Sequence, residues 1–327
     1  MISISKDLVN YLTVSPDEAG QRLDNYLFKV LKGVPKSHVQ RIIRAGEVRL
    51  NKKRCHGTDR IAANDVVRIP PVRVATRPAA ASGKLKAVPA KACAVVYEDE
   101  ALLVVDKPAG VAVHGGSGVS FGVIEQLRQA RPEAKYLELV HRLDKDTSGL
   151  LMVAKKRAAL VKLHEMMRQN VPQKVYLALG LGTWPDGVRH VRLPLFKYTG
   201  AAGEKMVRVA ADGQYAHTVF DVLEHLPVPA ETGFQAASLI QATLKTGRTH
   251  QIRVHMQASG CPIAGDERYG DYEANRRLHK LGCKRMFLHA HSLSLPHPVS
   301  GEPLQLNAPL PAELADFVER LRHEPAV

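Results

Sequence analysis

Cysteine is scarce and unpaired in this chain: Cys55, Cys93, Cys261 and Cys283 stand far apart, at no metal-binding or disulfide-framework spacing. That pattern excludes a disulfide-stapled secreted scaffold and fits free thiols in a reducing cytosol. Long apolar runs are also lacking, and none reaches the roughly 18 residues that a membrane helix needs. The opening Met-Ile-Ser-Ile-Ser-Lys-Asp holds no basic segment followed by an apolar one, so no export signal is read and a cytoplasmic protein is expected. No segment repeats. Histidines pair as His289 with His291 and His250 with His255, without an evident third ligand, so no metal is expected. A Gly-x-Ser-x-Gly elbow is missing beside His114-Gly-Gly-Ser-Gly118, which leaves that loop as flexible or phosphate-near rather than an oxyanion hole.

Acidic residues are short in one region above all. The whole chain carries 46 Lys and Arg against 32 Asp and Glu, a net charge of +14. Residues 20–70 hold 12 basic against 4 acidic residues, and 71–91 hold 5 basic and no acidic ones. These two segments account for 13 of the 14 excess charges, so a basic module is tethered to a near-neutral body. That asymmetry points to a polyanion-binding arm, although a charge run is often only a solvated face.

The 327 residues leave room for two domains. In the basic module, Leu23, Tyr26, Leu27, Val30 and Leu31 form a helical stripe closed by Gly33. Pro35 and Ser37 open a second helix bearing His38, Arg41 and Arg44, and Val48 to Arg54 alternates into a strand and a basic turn. The stretch 71–91, rich in Pro, Ala and Lys or Arg, reads as a linker. From residue 92 the pattern turns to short apolar strands with a few helices. The strands are expected over 95–97, 102–105, 150–154, 175–181, 215–223, 237–244 and 287–295, and the helices over 123–130, 156–169 and 249–259. Strands outnumber helices without strict alternation, which favours an α+β fold with a mixed, mostly antiparallel sheet.

Three blocks carry the chemistry. His141-Arg142-Leu143-Asp144 places a carboxylate on a strand-to-strand loop ahead of the turn Asp146-Thr147-Ser148-Gly149. Gln173-Lys174-Val175-Tyr176 opens a strand, and Thr246-Gly247-Arg248-Thr249-His250-Gln251-Ile252-Arg253-Val254-His255 opens a helix. Alone, the aspartate is ordinarily an Asx cap, the tyrosine a core residue and the arginine a surface group. Lys107-Pro-Ala-Gly110 reads as a structural turn near the same place, and Gly265-Asp-Glu-Arg-Tyr-Gly270 is a further block.

In order, spacing and residue type these five blocks resemble the pseudouridine synthases that modify uridines in large-subunit ribosomal RNA and some transfer RNAs, over about residues 20–310. Residues 20–70 resemble the S4-type RNA-binding domain. The implied organisation is an N-terminal extension 1–19, an S4-like domain 20–70, a basic linker 71–91 and a catalytic domain 92–327. The implied reaction breaks the N1–C1′ bond of uridine, turns the uracil and joins C5 to C1′, without metal or nucleotide cofactor.

The resemblance assigns Asp144 as the essential carboxylate, Arg248 as its cationic partner and Tyr176 as the ring against the uracil, with a hydroxyl for proton transfer. Ile252 is expected as an apolar wall and Arg142 as the group that fills the stack vacated by the flipped base. Arg41, Arg44, Lys52, Lys53 and Arg54 are the expected RNA contacts. The expected partner is 23S ribosomal RNA and the expected state a monomer. Alternatives are a transfer RNA enzyme of the same family, a non-catalytic ribosome assembly factor, and a phosphohydrolase imitated by Asp144-Lys-Asp146-Thr147, which magnesium-independent activity would exclude.

Overall fold

The computed structural model describes residues 5, 7–31, 33–72, 93–115, 121–201 and 203–323, which form two compact units on either side of the stretch 73–92. The expected linker and the tip of the His114–Gly118 loop lie almost wholly outside the described residues.

In the small unit, β1 (Asn10–Thr13), α1 (Leu23–Val30), α2 (Lys36–Arg44), β2 (Arg49–Leu50), β3 (Lys53–Arg54) and β4 (Val66–Ile69) follow in order. The helices bury Leu23, Tyr26 and Leu27 from α1 and Val39, Ile42 and Ile43 from α2 in one core with Val14, Val67 and Ile69. Apolar residues at three- and four-residue steps give each helix that single buried face. The sheet runs β1-β4-β2-β3, and β1 pairs antiparallel with β4 from Asn10↔Ile69 to Thr13↔Val66. Through this pairing Asn10–Thr13 join the sheet of the unit, and Val14 joins its core. Between β2 and β3 lie Asn51 and Lys52, both at positive φ (50° and 66°), the turn that matches the twist of a two-residue hairpin.

The large unit comprises β5 (Ala94–Glu98), β6 (Leu102–Lys107), α3 (Val123–Ala130), β7 (Glu138–Leu139), β8 (Ser148–Ala154), α4 (Arg157–Arg168), β9 (Gln173–Leu181) and β10 (His190–Val191). A hairpin of β11 (Leu195–Thr199) and β12 (Lys205–Val209) comes next, then β13 (Thr218–Pro227), β14 (Ala236–Leu244) and α5 (Gln251–Ala258). The chain ends with α6 (Tyr272–Lys280), β15 (Leu288–Pro296), β16 (Pro303–Asn307) and α7 (Ala312–Arg322). The main sheet is ordered β10-β13-β14-β9-β15-β8-β6-β5, with β16 against β15 and β7 against β8.

Among the described strands only β8 with β15 is parallel, so the mixed, mostly antiparallel α+β fold holds. Both faces of the sheet are covered. From β6, Leu102 and Val104 join Leu163 and Met166 of α4, while Leu103 and Val105 join α3, α6 and α7 residues such as Leu127, Leu278 and Phe317. A strand buried on both faces needs unbroken apolar sequence, as in Leu150–Ala154. Gly149 stands where β8 meets β15: at φ 108° a Cβ would lie 2.2 Å from the Ala290 carbonyl oxygen, so only glycine fits.

Candidate active site

Between the ends of β7 and β8 the chain turns through His141–Thr147, and this loop forms one wall of a pocket of about 240 Å³. The β9 start supplies Lys174 and Tyr176, and the turn from β14 into α5 supplies residues 247–253. The loop is tied down from beneath. Lys107, fully buried, donates from Nζ to the carbonyls of Pro108 (2.9 Å), Val111 (2.8 Å) and Lys145 (2.9 Å), and the Gly110 N–H donates to Lys145 as well. Burial pulls the Lys107 ammonium down to about 8. Thr147 closes the turn by donating its N–H to the Asp144 carbonyl at 3.2 Å.

Asp144, about one-fifth exposed, is met by Arg253 and not by Arg248. Arg253 Nη1 donates to Asp144 Oδ2 at 3.2 Å, while its Nε and Nη2 donate to the two oxygens of Asp266, each at 2.7 Å. Asp266 is fully buried and also accepts the N–H groups of Arg268 (2.9 Å) and Tyr269 (3.1 Å). One guanidinium therefore spans a buried carboxylate that fixes its plane and a half-buried one that faces the pocket. Burial lowers the Arg253 pKa, but the Asp266 hydrogen bonds and the two carboxylate charges outweigh it, and the net shift is upward. The Tyr269 ring lies 4.9 Å from the same guanidinium.

Arg248, the expected partner, lines the pocket at its exposed rim and donates from Nε to the Tyr215 carbonyl at 3.1 Å. The physical reason is helix phase. Arg248 precedes α5 in the turn, whereas His250 at the cap and Arg253 one turn along share the face toward Asp144. Gln251, buried, fixes that phase: its Oε1 accepts from the Arg248 N–H and Thr246 Oγ1, and its Nε2 donates to the His217 carbonyl and Thr218 Oγ1. His250 takes up a positive φ of 52° at the cap, and its Nε2 stands 3.7 Å from Asp144 Oδ2, beyond hydrogen-bond reach. Burial first, then the charges of Arg253 and Arg268, lower its pKa against the pull of Asp144.

Tyr176 and Ile252, both buried, line the pocket, and Arg142 lies exposed at its edge. Burial and then the Asp144 charge raise the Tyr176 phenol, so it stays protonated. Two further basic groups line the wall. Burial lowers the Lys174 ammonium, and burial with the Lys174 charge pushes His141 down to about 4, so His141 Nε2 accepts the Met152 N–H at 3.2 Å. Sequence reasoning missed Arg253 and Asp266, although both stood inside its blocks. An arginine between Ile252 and Val254 on a helix was the available signal, because a buried guanidinium requires a carboxylate. In the small unit, Arg41, Arg44, Lys52, Lys53 and Arg54 are all exposed, and Arg54 Nη2 caps α2 through the Arg44 carbonyl at 2.9 Å.

Comparison with known proteins follows the same division. Residues 101–258 match the RNA pseudouridylate synthase family and 21–67 the S4 domain. The chain is 50% identical over 317 residues to the ribosomal large subunit pseudouridine synthase C of Pasteurella multocida, covering 97% of this chain and 95% of that one. With the protein of the same name from Escherichia coli K12 it shares 51% over 318 residues, covering 96% and 97%. It is similar to the solved structure of human RNA Pseudouridylate Synthase Domain Containing 4, with a TM-score of 0.55 and 28% identity over 70% of this chain and 92% of that one.

Proposed function

The chain belongs to the RNA pseudouridylate synthase family, and we propose that it isomerises uridines of 23S ribosomal RNA to pseudouridine with Asp144 as the essential carboxylate. The observation that carries the assignment of Asp144 is its pairing with Arg253, whose other arm is clamped by Asp266, at the wall of the pocket. A carboxylate held by a fixed cation is preorganised to meet positive charge developing at C1′, as nucleophile or as stabiliser, when the N1–C1′ bond breaks. The pocket, at about 240 Å³, is smaller than the roughly 300–1,000 Å³ that encloses drug-sized ligands, which suits one flipped base. Tyr176 and Ile252 supply the apolar walls between which the freed uracil turns. Because the Tyr176 phenol is held protonated, it serves as a wall and a hydrogen-bond donor. Once C5–C1′ has formed, the C5 proton passes to the Asp144 carboxylate and N1 takes up one proton, so the isomerisation balances and the carboxylate is regenerated. Arg142, at the pocket edge, occupies the stack that the uridine leaves.

The small unit holds the RNA through Arg41, Arg44, Lys52, Lys53 and Arg54, whose charges face solvent. The domain organisation proposed is an RNA-binding unit ending near residue 70, a basic linker to residue 91 and a catalytic unit from residue 92. It acts in the cytoplasm as a monomer, with no metal or nucleotide. The names of the relatives at half identity favour ribosomal over transfer RNA. The test is incubation of the purified protein with unmodified 23S RNA and, separately, with bulk transfer RNA, in chelator. Pseudouridine forming in 23S RNA, and lost in Asp144→Asn, is the expected result. Conversion of transfer RNA with 23S RNA untouched, or an Asp144→Asn rate within tenfold of wild type, would overturn the reading.

A further inference from the structure

Beyond the rim of the pocket a row of rings lies on the surface at the head of β13. Tyr215 is 56% exposed, and its ring centroid is 6.5 Å from that of His217. The His217 ring in turn lies 5.3 Å from that of His190 on β10, and His190 Nδ1 and His217 Nε2 are 3.0 Å apart. The row is bolted to the turn that lines the pocket. The His217 N–H donates to Thr246 Oγ1 at 2.9 Å, its carbonyl accepts from the Lys245 N–H and Gln251 Nε2, and Arg248 Nε holds the Tyr215 carbonyl. Arg192, Lys245 and Arg248 are exposed around it, and the first two act electrostatically on His217.

We propose that Tyr215, His217 and His190 form a stacking platform for unpaired bases of the RNA strand next to the uridine in the pocket. This rests on the RNA substrate proposed above. Two properties of the row favour RNA over a protein partner. Its rings are tilted to one another, by 56° between Tyr215 and His217 and by 36° between His217 and His190, with cations around them, the combination that takes separate unpaired bases and their phosphates without reading sequence. The Tyr215 ring is also more than half exposed and stands in a row with two imidazoles, so it is open to a base from outside the fold. Burial, and then Arg192, His190 and Lys245, hold His217 below its ordinary pKa, and the bond between the two imidazoles needs one acceptor nitrogen. At least one ring of the pair is therefore a neutral imidazole, and Arg192, Lys245 and Arg248 bring positive charge around the row. Arg248, at the junction of pocket and platform, has the position of a phosphate contact.

The experiment uses the full-length protein with Tyr215→Ala, Tyr215→Phe and the double variant Tyr215→Ala/His190→Ala. KM and kcat are measured on a 23S RNA fragment that the wild type converts. Binding is read separately, by quenching of 2-aminopurine placed in a single-stranded RNA. Stacking lost by truncation to alanine corresponds to about a tenfold rise in KM for Tyr215→Ala, with kcat within about twofold, and Tyr215→Phe restoring wild-type KM. Wild-type quenching is expected to weaken in the alanine variants. KM and quenching unchanged in the double variant would overturn the platform. So would a Tyr215→Phe as impaired as Tyr215→Ala, which would assign the effect to the hydroxyl. A wild type that converts no 23S RNA would sink the proposed substrate instead, while the quenching arm still decides the platform.

Discussion

Arg253→Met is the most demanding perturbation of the proposed site, because it removes one group from two carboxylates at once. In the native arrangement Asp266, with a fully buried side chain, takes two guanidinium hydrogen bonds at 2.7 Å, and Asp144 takes one at 3.2 Å. Without the guanidinium, the Asp266 carboxylate keeps the N–H groups of Arg268 and Tyr269. Stranding one member of a buried ion pair costs about 3–5 kcal/mol. For a unit of this size that is a fall in Tm of about 6–20 °C. Asp144 loses a charge-assisted bond worth about 1.5–3 kcal/mol, which is about 10- to 150-fold in rate if it is expressed in the transition state.

Stability and rate are separated by a second variant. Arg253→Met/Asp266→Asn removes the stranded charge, so about half or more of the lost stability should return, whereas turnover should not. Thermal unfolding by circular dichroism and single-turnover pseudouridine formation on saturating RNA measure the two. Recovery of both in the double variant would reduce Arg253 to scaffolding. An Arg253→Met protein less than about 1 kcal/mol destabilised, with a rate within twofold of wild type, would refute the geometry itself. Arg248→Met serves as the contrast. With an exposed side chain bonded only to a carbonyl among the described residues, it should shift stability by no more than about 0.5 kcal/mol and raise KM more than it lowers kcat.

Three further outcomes follow from named groups. Tyr176→Phe should leave the pH–rate profile unchanged between about pH 7 and 9, since the phenol is held protonated throughout; loss of an alkaline limb in the variant would make the phenolate a base. Lys107 has its folded pKa pulled down to about 8 from the usual 10.5, so the folded state binds fewer protons than the unfolded one in that interval and its contribution to stability rises with pH there. Its penalty is fully present below pH 8. Wild-type stability in urea should therefore gain on Lys107→Met by about 1–3 kcal/mol between those pH values, and a constant gap would show that Lys107 does not titrate there. Replacing Lys52, Lys53 and Arg54 together by alanine should flatten the log–log salt dependence of RNA binding by about 2, at roughly 0.7 for each lost phosphate contact, and an unchanged slope would remove this turn from the interface.

What was legible in the sequence was local. The run Leu150–Ala154 announced a doubly buried strand, and the helix over Val123–Ala130 has the expected bounds, because apolar spacing and turn residues act within a few residues. Asp144 could be placed on a loop for the same reason. Not read were β1, β7, β10, the β11–β12 hairpin, β16, α6 and α7. Two of these had different causes. The four residues of β1 show their strand nature only against β4, more than fifty positions away, so pairing rather than composition defines them. In α7 the signal was present, with Leu314, Phe317, Val318 and Leu321 at helical spacing behind Pro311, and went unread.

The choice between Arg248 and Arg253 shows where local reading ends. Both lie in one ten-residue block, both are arginines, and both lead toward a pocket. Their fates are separated by where α5 begins. The family resemblance assigned Arg248 to Asp144, whereas the helix that starts at Gln251, capped by His250 at positive φ, brings Arg253 to Asp144 and leaves Arg248 at the rim. That start is set by Gln251 reaching across to His217 and Thr218, at the head of β13. It is set also by Asp266, held behind Gly265, where φ is 74° and a Cβ would lie 2.3 Å from the Arg285 carbonyl oxygen, so that only glycine fits. Three segments far apart in sequence thus decide which cation faces Asp144. The same contacts put Arg248 against Tyr215, so the arginine displaced from the reaction centre becomes the link between pocket and surface rings. Helix phase, fixed from outside the helix, assigns one arginine to the carboxylate and the other to the strand that carries it there.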